Sequence, residues 1–129
     1  MLKFALLVGL GGALGSIIRW VLGLSLNSLF PTIPLGTLIA NLIAGYLIGI
    51  FLVVFMSNPN IPAEWRLFII TGCLGGLSTF SSFSGEVSML FYEGKIMWGS
   101  LAIASHVIGS IVMTFLGIAT VTVFKFLLK

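Results

Sequence analysis

Four long apolar stretches, roughly Leu2–Leu24, Ile33–Met56, Trp65–Phe91 and Met97–Phe126, take up nearly the whole chain. Each is long enough for a helix to cross a hydrocarbon core of ~30 Å. The links between them carry turn-forming residues: Asn27-Ser28-Leu29-Phe30-Pro31, then Ser57-Asn58-Pro59-Asn60-Ile61-Pro62, then the short Glu93-Gly94-Lys95. Trp20, Trp65 and Trp98 fall near stretch ends, where amphipathic rings prefer the headgroup level. The pattern predicts an all-α membrane protein with four transmembrane helices.

Composition removes the soluble alternatives. Of 129 residues, 59% are hydrophobic and 7% charged, with a mean hydropathy of +1.25, against a charged share of ~25% in soluble domains. No composition shift divides the chain, so residues 1–129 read as a single transmembrane domain. The first stretch is too long for a signal peptide and lacks a small-residue cleavage site. The net charge of +3 is dispersed, which gives no footprint for nucleic acid. Cys73 is the lone cysteine, so no internal disulfide forms and a small buried apolar role suffices. With four spans, Lys3, Arg66, Lys125 and Lys129 lie on one side and Lys95 on the other. Arg19 joins Lys95 by snorkelling to the interface. Four against two is a weak bias under the positive-inside rule, and it predicts a chain able to insert either way up.

Polar residues inside the stretches carry the functional signal, because lipid makes each of them expensive. The run Gly75-Gly76-Leu77-Ser78-Thr79-Phe80-Ser81-Ser82-Phe83 makes a poor continuous helix. Glycine costs about 1 kcal/mol in a helix interior, and Ser and Thr compete for backbone hydrogen bonds. A third helix broken at membrane depth is predicted, of the kind that accompanies ion and substrate sites. Asn41 precedes Gly45 and Gly49 at four-residue spacing, which suits either a helix-packing hydrogen bond or a pore-lining donor. His106, Ser110 and Thr114 form one polar stripe along about 12 Å of helix, a polar track or a packing seam. Phe80 and Phe83, three apart, can present positive ring edges to an anion, or be two more core phenylalanines among eleven. Glu86 follows one turn later, either as a structural residue or paired with a polar partner, and the sequence does not choose between these. Gly9, Gly11, Gly12 and Gly15 imitate a dinucleotide fingerprint, but Leu14 takes the third glycine's place; tight helix packing through Gly11 and Gly15 explains them without a nucleotide.

The central nine-residue motif, a mid-helix Asn41 and the early Gly-Gly-x-x-Gly followed by Arg19-Trp20 resemble the Fluc (CrcB) family of bacterial fluoride channels over essentially the whole chain. The resemblance implies an antiparallel, dual-topology homodimer in the bacterial inner membrane, enclosing two pores that export fluoride passively and relieve its toxicity. Fluoride is expected to pass Asn41, Thr79, Phe80, Ser81, Ser82, Phe83, His106, Ser110 and Thr114, with Arg19 at the vestibule. The resemblance also implies a structural Na+ held by the backbone carbonyls of Gly75 and Ser78 from both subunits. Fluoride is small and strongly hydrated, so its path must offer close donors without an ammonium that binds too tightly for release. Two rivals compete with this reading: a proton-coupled multidrug exporter, for which Glu86 is the only candidate embedded acid, and a non-transporting scaffold. An enzyme is not expected, since no acid lies near His106 in sequence to orient it as a base.

Overall fold

The computed structural model describes residues 1–129 and consists of helices joined by short links, with no strand. Four helical spans are long and apolar enough to cross a membrane: Leu2–Leu29, Leu35–Ser57, Ala63–Tyr92 and Ile96–Leu127. The first contains α1 (Leu2–Leu26) and a single 3-10 turn, Asn27–Leu29; the second is α2 (Leu35–Ser57). The third contains α3 (Ala63–Arg66), a π-helical stretch (Leu67–Leu74), α4 (Gly75–Leu77) and α5 (Phe80–Tyr92). The fourth is α6 (Ile96–Leu127).

Local chemistry sets these boundaries. Pro34 and Pro62 occupy the positions just before α2 and α3, where a missing N–H costs no helical hydrogen bond. The Asn27 side chain accepts from the Gly36 amide at 2.8 Å, satisfying one of the orphan donors in the first turn of α2. Within the third span, Ser78 (ψ 153°) and Thr79 (φ −150°, ψ 116°) are extended. Thr79 then caps α5 by accepting from the Ser82 amide at 3.1 Å. The widening at Leu67–Leu74 is not legible in the sequence; there Gly75 N–H reaches back to Ile70 O, five residues away.

Two close seams hold the spans together. Gly11 and Gly15 of α1 face the π-helical stretch and α4; a methyl group on either would run into backbone atoms of Phe68, Cys73 or Leu77. Between α2 and α6, a Cβ on Gly49 would collide with Thr114 O, and one on Gly117 with Tyr46 O. The Thr114 hydroxyl donates across this second seam to Gly45 O at 3.0 Å, and Tyr46 shares a 3.0 Å hydrogen bond with Thr120. At the end where both termini lie, Lys3 pairs with Glu64 at 2.8 Å, Lys125 bonds Ser57, and the Arg66 guanidinium sits 5.4 Å from the Phe55 ring centre. Only 20 of 129 residues are buried within the chain, so most of the apolar surface is left for lipid.

Replacing Gly49 or Gly117 by alanine is expected to cost about 1–3 kcal/mol through overpacking. Gly9→Ala, with nothing within 4 Å, is expected to be neutral or to gain up to about 1 kcal/mol in helix propensity. Thermal unfolding of the purified variants in detergent measures both.

Candidate functional site: a polar cavity beside the interrupted span

The extended pair Ser78–Thr79 leaves backbone groups that no helix can satisfy, and α2 supplies the remedy. The Asn41 side chain pairs with both peptide groups of Thr79: Oδ1 accepts from Thr79 N at 2.7 Å, and Nδ2 donates to Thr79 O at 3.0 Å. This pairing fixes the amide's orientation, because an N–H must meet the oxygen and a carbonyl the nitrogen. The second Nδ2 hydrogen reaches His106 Nδ1, 3.0 Å away on α6. Since Nδ2 can only donate, His106 Nδ1 accepts, and the ring proton sits on Nε2. That Nε2 is buried with no partner in the chain.

A cavity of ≈ 380 Å³ opens beside this junction, lined by Asn41, Ser78, Thr79, Phe80, Phe83, His106 and Ser110 together with apolar residues of α2 and α6. No Lys, Arg, Asp or Glu contributes to its wall. Phe80 and Phe83 meet edge to face, with centroids 5.4 Å apart and planes at 67°, and Phe83 lies 4.5 Å from the His106 ring. Phe83 is 7% exposed and Phe80 77%, so Phe80 closes only one side of the cavity from within one chain. The Ser78 hydroxyl is spent on Leu74 O, and that of Thr79 on Ser82 Oγ. The Ser110 hydroxyl makes no hydrogen bond to protein and stays available, as does His106 Nε2.

Several residues singled out from the sequence lie elsewhere. Thr114 shares its proton between Gly45 O and Ser110 O and does not line the cavity. Ser81 is exposed, 3.4 Å from the Thr79 hydroxyl. Ser82 belongs to a second cavity of ≈ 500 Å³, with Thr32, Glu86, Glu93 and Lys95 in its wall. Thr79 and Ser82, hydrogen-bonded at 3.0 Å, therefore stand between the two cavities. Glu86 has a partner that its sequence context did not reveal: Thr37 of α2 donates to Oε1 at 2.6 Å. Thr37 was missed; it lies one turn before Asn41 on the same helix face, the one available signal. Arg19, expected to snorkel to the interface with Lys95, donates from Nε to Gly76 O at 3.1 Å. Gly75 and Ser78 are both exposed, and neither carbonyl accepts a hydrogen bond within the chain.

These features define a multi-pass membrane protein with an uncharged, donor- and phenyl-lined cavity beside an interrupted span. Comparison with known proteins is specific. Residues 6–118 match the family described as CrcB-like protein, Camphor Resistance (CrcB), and the chain belongs to that family. It is 57% identical over 125 residues to the fluoride-specific ion channel FluC of Tolumonas auensis, covering 97% of this chain and 98% of the relative. The namesake from Paraburkholderia phymatum is 58% identical over 118 residues, covering 92% and 94%. That from Nitrosomonas europaea is 55% identical over 125 residues, covering 97% and 98%. The protein is a multi-pass component of the bacterial inner membrane and not an enzyme.

Asn41→Leu is expected to destabilise the fold by about 1–3 kcal/mol for each of the buried groups it leaves unpaired. Removing the His106 side chain, which breaks one such bond, is expected to cost less. Comparing thermal midpoints of the two variants checks the order.

Proposed function

We propose that this protein is a fluoride-selective ion channel that lets the anion leave the cell passively and so relieves its toxicity. The observation that carries the reading is the cavity wall, which offers neutral donors and ring edges to a small anion but no fixed charge to trap it. Family membership and relatives named as fluoride-specific channels support it independently. Conduction needs binding strong enough to replace hydration yet weak enough to release. His106 Nε2–H and the Ser110 hydroxyl are the free donors; Asn41 joins them by exchanging its bond to His106 Nδ1 for one to the ion. Thr79, Ser81 and Ser82 carry the path past the interruption, with Phe80 and Phe83 at its waist and Thr114 holding the far end of the α6 stripe. A negative-inside potential drives the anion outward by about 2.3 kcal/mol per 100 mV.

Two copies inserted in opposite directions complete the assembly, with two pores. Support comes from the face carrying Thr71, Gly75 and Ser78, which is exposed although polar and lies within a span where lipid offers it nothing. The unpartnered carbonyls of Gly75 and Ser78 fit a hard cation such as Na+, which favours oxygen ligands. No cluster of His, Cys, Asp or Glu offers another metal site, so backbone dipoles from the two copies would hold that ion. Its contribution is to bind orphan carbonyl oxygens together at the centre of the dimer.

Purified protein reconstituted in liposomes is expected to release fluoride, read with a fluoride electrode, under an inward-negative potential and to hold back chloride. Asn41→Ala and Phe83→Ala are expected to lower that flux by roughly tenfold or more, the worth of one lost interaction of ~1.4 kcal/mol. Full flux in both variants contradicts the assigned path; no flux from the wild type contradicts the channel.

A further inference from the structure

We infer that Arg19 is a positioning residue, which works by capping the carbonyl end of α4 through its Nε–H and not by attracting anions with its charge. The interruption at Ser78–Thr79 deprives the last carbonyls of α4 of helical partners. Leu74 O is satisfied by Ser78 N and by the Ser78 hydroxyl. Gly76 O has no such recourse, and Arg19 reaches it from α1 at 3.1 Å. Backbone contact between the two elements makes the reach possible, since a Cβ on Gly76 would collide with Gly12. A guanidinium at a helix C-terminus also complements the partial negative charge there.

Three observations set this role apart from anion attraction. Arg19 lies seven residues before the end of α1 at Leu26, about 10 Å along the helix, and is half-buried. It does not line the cavity beside Thr79. Its bond to protein uses Nε, the innermost nitrogen, which ties the stem of the side chain to Gly76, while no carboxylate pairs with the head. Arg19 from α1 and Asn41 from α2 thus grip the two sides of the same interruption, one at Gly76 and the other at Thr79. The segment they fix carries Thr79, Phe80 and Phe83, so its position sets the cavity wall.

Charge and donor can be separated at this site. Arg19→Lys keeps the charge but puts a methylene where Nε stood, whereas the neutral urea analogue citrulline keeps the Nε–H and loses the charge. With both proteins reconstituted in liposomes, the lysine variant is expected to lose about tenfold in fluoride flux, as for one broken hydrogen bond, and citrulline to restore most of it. Amide hydrogen exchange over residues 78–82, followed by mass spectrometry, is expected to quicken with lysine and to return toward the wild-type rate with citrulline. Wild-type flux from the lysine variant, or a citrulline variant as impaired as lysine, overturns the inference. The flux readout rests on the channel reading. If the wild type passes no fluoride that reading fails, and the exchange rates of the two variants still decide the capping role.

Discussion

The pairing of the Asn41 amide with both backbone groups of Thr79 is the interaction on which the site depends. A side-chain amide has the same donor and acceptor as a peptide, so it serves as a piece of substitute backbone where the helix gives way. In hydrocarbon no water can fill that role, and each group left open costs several kcal/mol. With Thr79 secured, its hydroxyl is free to cap α5, and Phe80 and Phe83 begin a new helix facing the cavity. The remaining amide hydrogen decides the His106 tautomer, and with it which ring nitrogen is left to donate.

These side chains reach their partners because the helices approach unusually closely. Lipid supplies little hydrophobic drive for helices to associate, so close contact and hydrogen bonding must do it. The α1 seam at Gly11 and Gly15 and the α2–α6 seam at Gly49 and Gly117 bring backbones into contact. The same geometry lets Thr114 bond Gly45 O. Thr114, part of the polar stripe in the one-dimensional pattern, also fastens α6 to α2 in space.

The arrangement of charge follows a consistent logic. Basic residues gather at the end that holds the termini, where Lys3 meets Glu64 and Arg66 rests on Phe55. Inside, Arg19 is committed to a carbonyl and Glu86 to Thr37, and neither enters the cavity beside Thr79. On the channel function proposed above, an anion passing there would meet dipoles, hydroxyls and ring edges but no fixed charge, which suits a dwell time compatible with conduction.

Hydropathy and punctuation alone determined the four spans, their short links and the departure from helix near Ser78, because these depend on local chemistry: lipid selects apolar runs, and Gly and Ser weaken a helix wherever they stand. The family motif pointed to the same segment. Which donors remain free was decided only by the tertiary structure. Asn41, Thr114 and Arg19 all carry N–H or O–H groups suited to an anion, yet each spends one of them on a backbone atom 38, 69 or 57 residues away in the chain. Nothing within one helical stretch encodes such a partner. Whether a polar side chain in a membrane serves the ion or the fold depends on which orphaned peptide group the packing brings within its reach.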